Sequence, residues 1–479
     1  MVKGKQFPVF LIGIYFLAVV VRLGPVIAAR EMTIGLDDMF QYDMLARSLT
    51  IGDGFRWYAQ EDLALVERYF PLEWVVEEYD PRGILTSFRA PGYPFFLSQI
   101  YRLVGLEDRF FIARLVQVFI MASLAPMTVL LSRRLFPGKE RIARFSGVIL
   151  AIYPFFVVFP LALASEVTFI PLAVGAVLAA MRAGESHCWE DYLFSGVLLG
   201  GAVMTRSVIL LALPVMMLWA WFLVKDKKGA VILLLSVLVF TVPWSVRNSI
   251  LHGKFTGVES MMGYNLYLGY HPDAEGRFVF GPSLDLLPYL DDAERDRLGT
   301  EKALEFIRQE PERVPYLMMR KLGYFFGLER RVLTYFYSNN FLGFIPQPYF
   351  TLVFVVFTLP FVLIALSSAL VLPGLRWKKN HLLVAGVSVA YLAPHLIILA
   401  EPRFHLVLLP FLAVFAAYGF VERRKVLMSL SLQAHWWRLL LALLAVGLLL
   451  FNWGYDLVTD AEKLRMLFGP EGNRTYFDY

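Results

Sequence analysis

Two adjacent carboxylates, Asp37 and Asp38, open the stretch Gly35-Leu-Asp-Asp-Met-Phe-Gln-Tyr-Asp-Met-Leu-Ala-Arg-Ser-Leu49. Behind them Met39, Tyr42, Met44, Leu45, Leu49 and Ile51 recur at roughly helical spacing, which predicts an amphipathic helix lying along a membrane surface. Carboxylates held at such a face could take up a proton or ligate a cation. The competing reading is a helix N-terminus, where Asp caps exposed amides. A second carboxylate position, Glu166, follows an apolar run, and Arg89, Arg206, Arg247 and Arg403 flank other runs or turns. Arginine forks can grip a phosphate through two parallel hydrogen bonds. Carboxylates and arginines would have to be gathered at one place for that chemistry, so the elements that carry them decide the matter.

Those elements are apolar spans. The chain has 479 residues, of which 58% are hydrophobic and 15% aromatic, and its mean hydropathy is +0.58. These values lie far outside the soluble globular range. The net charge of +5 fits cationic loops of a membrane protein better than nucleic-acid binding. The single cysteine, Cys188, rules out an internal disulfide framework. Lys3 and Lys5 precede the first apolar span, and no small-residue cleavage site clearly follows it, so it is read as a retained anchor.

Eleven transmembrane helices are expected in an all-α polytopic membrane protein. The first occupies residues 1–29, the second to seventh 110–247, and the last four 349–456. Two polar segments, 30–109 and 248–348, carry juxtamembrane helices, one near Ala293–Arg308, and a polar tail covers 457–479. The run Phe95 to Val104 is too short to span and is read as juxtamembrane or half-inserted. With the N-terminus in the cytoplasm, the clusters Arg133–Arg144, Lys225–Lys228, Arg376–Lys379 and Arg423–Lys425 all fall on the cytoplasmic side. Asp37, Asp38, Arg89, Glu166, Arg206, Arg247, Asn248, Arg403 and His405 then all fall at the extracytoplasmic face, together with both polar segments. The middles of the spans hold almost no ionisable residue, whereas a transporter would place polar groups near the midplane. No internal repeat is visible either. The pattern points to an enzyme working at the bilayer surface on a lipid-borne substrate.

At this point the residues resemble a known family. Asp38-Met-Phe-Gln-Tyr42 with Ala46 and Gly52, then Arg89-Ala-Pro-Gly-Tyr-Pro-Phe-Phe96, are similar to the start of lipid-linked glycosyltransferases of the GT-C superfamily. The branch most resembled contains protein mannosyltransferases and aminoarabinose transferases. Ala113-Arg114-Leu115, Arg133-Arg-Leu-Phe136, Tyr153-Pro154, Ser165-Glu166, Thr205-Arg206, Pro243-Trp-Ser-Val-Arg-Asn248, Gly263-Tyr-Asn-Leu-Tyr-Leu-Gly269 and Glu401-Pro-Arg-Phe404 continue the likeness in order. The resemblance implies a GT-C fold in the cytoplasmic (plasma) membrane and a polyprenyl-phosphate sugar donor. It also implies a lipid, polysaccharide or protein acceptor outside, and inversion at the anomeric carbon.

Carried onto these positions, the resemblance implies Asp38 as base, by its spacing to Tyr42, with Asp37 as the structural alternative. Glu166 matches the second acidic position, to orient substrate or support Asp38; an ordinary interfacial charge is the alternative. Arg89 is expected on the donor phosphate, and Arg403 could share it or pair with Glu401. Arg206, Arg247 and Asn248 cap span ends and either contact substrate or snorkel to the interface. Asp37, Tyr42, Tyr264, Asn265 and His405 complete the expected substrate contacts, although His405 and His395 fit a packed role as well. Tyr264, Tyr267 and Tyr270 could stack on a sugar or belong to an interfacial tyrosine belt. No obligatory cofactor is expected; Asp37, Asp38 and Glu166 could hold a divalent cation such as Mg or Mn. Asn473-Arg-Thr475 is a sequon of the kind that arises often by chance. A flippase of lipid-linked sugars and a non-catalytic assembly subunit are the rival classes.

Overall fold

The computed structural model describes residues 2–35, 37–66, 79–330 and 345–469; the Asn473 sequon lies outside them. Among the described residues nine helices are long and apolar enough to cross a membrane. A tenth arises if Glu140–Ile152 and Pro154–Leu161, bent by 50°, form one span. The fifth expected span corresponds to the helix Trp189–Thr205, which is not among these nine; its 17 residues sit at the short end of spanning length. The molecule is therefore all-α and polytopic. Its only strands among the described residues are Arg56–Trp57 and Ile84–Leu85, antiparallel with Arg56 opposite Leu85.

The 50° bend has a local cause. Proline has no amide hydrogen, and it restricts the residue before it to an extended conformation. Tyr153 accordingly sits at φ −60°, ψ 117° ahead of Pro154, and the carbonyl of Leu150 loses its helical donor. Arg22, fully buried in the first span, fills the gap: it donates to the carbonyls of Leu150 at 3.0 Å and Ala151 at 2.8 Å. An arginine inside a span, which the sequence pattern treats as an exception, thus finds acceptors for both terminal nitrogens, two of them carbonyls freed by the break in the neighbouring helix, while its buried Nε has no partner.

Two further buried side chains shape the ends of the spans. Arg114 donates to the carbonyls of Leu161 at 2.9 Å and Thr33 at 3.0 Å. Gln117 donates to those of Pro160 and Ala162, at 2.9 and 3.0 Å. One pair of side chains on the second span therefore fixes the backbone just before Asp37-Asp38 and just before Ser165-Glu166. Buried carbonyls without helical partners need such donors.

Asp38–Ile51 forms the expected helix, closed by Gly52 at φ 95°, but it is buried on more than one side instead of presenting a single apolar face to a membrane surface. The run beginning at Phe95 folds as Gly92–Val104, 13 residues or ~20 Å, too short to cross. It packs on Asp38–Ile51 through Tyr93, Leu97, Ile100 and Tyr101, with Met39, Tyr42 and Ala46 opposite. Gly92 is required there: a Cβ would lie 2.7 Å from the Met204 carbonyl oxygen. That close approach brings the Arg89 turn against the Thr205-Arg206 end of its neighbour. In the second polar segment, the expected helix near Ala293–Arg308 runs Asp292–Gln309.

Candidate active site

Asp38 occupies the first turn of its helix, and each of its carboxylate oxygens meets an arginine. Oδ1 accepts from Arg89 Nη2 and Oδ2 from Arg403 Nη2, the latter at 2.6 Å. Arg89 is oriented by a second bond, Nε to Gln41 Oε1 at 2.9 Å, and its guanidinium lies 5.3 Å from the Tyr42 ring centroid. Tyr42 donates its hydroxyl to Ser165 Oγ at 3.1 Å. Next to Ser165, Glu166 Oε1 accepts from Arg206 Nη1 at 2.5 Å, and Arg403 Nε lies 3.7 Å away. Arg206 in turn sits 5.0 Å over the Phe404 ring.

Arg403 is thus the bridge between the two acidic positions. It stands on the 3-10 turn Pro402–Leu408, which starts a span. Glu401, just before it, accepts from the Phe278 amide at 2.9 Å and ties the turn to the second polar segment. Three guanidiniums face two carboxylates, leaving one positive charge in excess among the groups in direct contact. Asp37 and Glu401 add their own charges to the surroundings of Arg403 at longer range. Burial alone would push the Asp38 carboxyl up; the neighbouring Arg89 and Arg403 guanidiniums override that and hold it well below the usual carboxylate range.

The remaining expected residues divide. Asp37 is the N-cap of the Asp38 helix, accepting from the Met39 amide at 2.8 Å, so the capping role lands on one carboxylate and the ion-pair role on the other. Arg247 and Asn248 do not cap their span; the helix Lys227–His252 carries both inside its last turns. Arg247 donates to the Thr86 carbonyl at 2.6 Å, while the Asn248 amide donates to the carbonyls of Gly257 and Val258 at 2.8 and 3.1 Å. Tyr264 donates to the Ser283 carbonyl at 3.0 Å and packs on Phe88. Asn265 sits beside it on the helix Met262–Tyr270. His405 is fully buried, within 2.9 Å of Glu329 Oε1 and 2.7 Å of the Phe325 carbonyl, stacked on Phe361. The fold therefore gathers Asp38, Tyr42, Arg89, Glu166, Arg206 and Arg403, and leaves Arg247, Asn248 and His405 bonded to other partners. His395 is packed as well, 4.6 Å from Phe404. Gln41 and Ser165 were absent from the sequence-based selection; both adjoin selected residues, and only their hydrogen bonds distinguish them.

Residues 89–246 match the family of dolichyl-phosphate-mannose-protein mannosyltransferases. Over that segment the chain resembles the protein mannosyltransferases, the GT-C branch its motifs suggested. The mannosyltransferase-like segment contains Arg89, Glu166 and Arg206, while Asp38 and Arg403 lie on either side of it. No curated protein sequence matches the chain. Among solved structures, the apo oligosaccharyltransferase of Archaeoglobus fulgidus aligns at 14% identity and a TM-score of 0.48, over 100% of this chain and 60% of that one. The chain thus spans 60% of that protein's length. ArnT from Cupriavidus metallidurans bound to undecaprenyl phosphate aligns at 14% identity and a TM-score of 0.38, over 85% of this chain and 77% of that one.

Proposed function

We propose that this chain is an integral membrane glycosyltransferase that moves a sugar from a polyprenyl-phosphate donor to an extracytoplasmic acceptor, with inversion at the anomeric carbon. The observation that carries the reading is the double engagement of Asp38 by Arg89 and Arg403, two arginines from distant segments whose combined charge exceeds what one carboxylate needs. The family matched by residues 89–246 supports a lipid-linked donor. The protein sits in the cytoplasmic membrane with its N-terminus inside and this cluster outside.

In this reading the donor phosphate binds at Arg89 and Arg403. It competes with Asp38 for Arg89 and Arg403, and their guanidiniums stabilise the charge that grows on phosphate as the glycosidic bond breaks. The acceptor hydroxyl oxygen forms its bond to the anomeric carbon from the opposite face. The C–O bond to phosphate breaks, its electron pair leaves with phosphate, and the acceptor proton passes to Asp38. Asp38 paired with two arginines is a weak base; losing them to the phosphate restores its basicity at the step that needs it. Glu166, held by Arg206, keeps Arg403 between the two carboxylates.

The test is transfer itself. Purified protein is given isotopically labelled polyprenyl-phosphate sugars and membrane extract as acceptor. Label should move to a lipid, polysaccharide or protein product and stop on Asp38→Asn. Donor translocation without any covalent product would mark a flippase instead.

A further inference from the structure

The short segment that delivers Arg89 is held largely by the second polar segment and the end of the span that precedes it. Thr86 Oγ1 donates to Asp292 Oδ2 at 2.5 Å and accepts from the Phe88 amide at 3.0 Å. The same Asp292 oxygen accepts from the Ser87 amide at 2.8 Å. Ser260 donates its amide to the Ser87 carbonyl at 2.9 Å, and Arg247 reaches the Thr86 carbonyl. The Ser87 hydroxyl lies 2.8 Å from His252 Nε2 and 2.7 Å from Ser260 Oγ, and His252 Nδ1 lies 3.2 Å from Asp291 Oδ2.

Ser87, His252 and Asp291 have the connectivity of a nucleophilic triad. Ser87 is fully buried, however, and shares its hydroxyl with Ser260. No acyl group could reach it, so the chain of bonds serves as a tether. Asp292 is also buried, and Arg295 Nη1 at 3.2 Å is the cation that offsets its charge. A buried carboxylate that spends one oxygen on a hydroxyl and an amide of consecutive residues fixes backbone direction there. Two residues on, that direction sets where Arg89 points.

We propose that Asp292, assisted by the Ser87–His252–Asp291 tether, is a positioning residue that sets Arg89 against Asp38 and so tunes capture of the donor phosphate. The proposal rests on the reading of Arg89 as a phosphate ligand. It also couples the second polar segment to the site, since anything that moves the start of the helix Asp292–Gln309 alters the phosphate-binding arginine.

The test is a double-mutant cycle on the full chain, with undecaprenyl phosphate as probe and binding as the readout. Asp292→Asn should weaken binding about tenfold when Arg89 is present. In an Arg89→Ala background it should change binding less than about twofold, because residues acting through one another are not additive. Ser87→Ala should act in the same direction by less, and it carries the same cycle if Asp292→Asn does not fold. Equal losses in both backgrounds, or no loss, overturn the proposal. If the unmodified protein binds no polyprenyl phosphate, the proposed function fails separately. The tether is then read from amide exchange at Ser87 and Phe88, where acceleration in Asp292→Asn supports positioning and unchanged exchange overturns it.

Discussion

Arg403 and Asp38 are 365 positions apart in the chain and 2.6 Å apart in the fold. The same guanidinium reaches toward Glu166, so one side chain from the start of the span Pro402–Val421 links both acidic positions of the candidate site. Glu166 is buried and depends on such partners to keep its charge, whereas Asp38 is part-exposed. The arrangement makes the arginines as informative as the acids.

Asp38→Asn should lower turnover by about 10²–10⁴-fold, since an amide cannot take the acceptor proton. Donor affinity should hold or rise, because the substitution frees Arg89 and Arg403 from their internal partner. Asp37→Asn should leave turnover near normal, as Asn caps a helix about as well as Asp. Separate measurement of donor binding and turnover checks both; a dead Asp37→Asn with a healthy Asp38→Asn would falsify the assignment of the base.

Replacing Arg89 or Arg403 by Lys keeps the charge and loses the fork, so partial activity should survive; replacement by Ala should lose far more. The two Ala variants should show raised donor KM together with lowered kcat, because the same groups hold phosphate before and during bond breaking. Steady-state kinetics with donor varied will distinguish this from a structural role, for which Lys and Ala would do equal, mild damage.

The pH dependence follows from Asp38. Its carboxyl is held below the usual range by Arg89 and Arg403 despite burial. A depressed pKa contributes stability that is present above the unfolded value, about 4, and is lost as pH falls through the lower folded value. The stability difference between wild type and Asp38→Asn should therefore be flat above about pH 4 and shrink only below it. In kinetics, the acid limb of kcat, which reports the donor-bound enzyme, should lie at higher pH than that of kcat/KM. Coincident limbs would mean that donor does not draw the arginines off Asp38.

Topology can be read with the native cysteine. Cys188 is exposed at the turn between the helices Glu166–Ser186 and Trp189–Thr205, which the cationic loops assign to the cytoplasm. An impermeant maleimide should label it only from inside. In a Cys188→Ser background, a cysteine at Asp273, whose side chain is 80% exposed, should be labelled only from outside. Gly276 is a poor probe position nearby, because its φ is +94° and Lys321 lies against it. Labelling at Asp273 from the cytoplasmic side would invert every site assignment.

Chelation should leave transfer intact. Of the carboxylates that could have bound a cation, Asp38 and Glu166 are already matched by Arg89, Arg206 and Arg403, and Asp37 caps its own helix. Activity measured with EDTA and after adding back Mg or Mn decides this; loss on chelation and recovery on metal addition would show that the arginines do not suffice.

The amino-acid sequence by itself determined the class and the rim. Apolar runs of spanning length can only be satisfied as helices in lipid, and motif order singled out Glu166, Arg206 and Arg403 at span ends and Asp38 and Arg89 in the first polar segment. Local chemistry also decided the helix after Asp37, whose cap residue and closing Gly52 adjoin it in the sequence. What only the tertiary structure decided was partnership. Asp37 and Asp38 are neighbours of the same type, and contact with Arg89 and Arg403 from far along the chain gives them different jobs. Arg247, Asn248 and His405 look like their site-forming counterparts in sequence, yet the fold turns each to a carbonyl or to buried Glu329. Arg22 reads as a misplaced charge until the break at Pro154 supplies its acceptors. Hydropathy and spacing are local and survive in one dimension, whereas a hydrogen-bond partner is chosen among residues hundreds of positions away, and only packing brings those together.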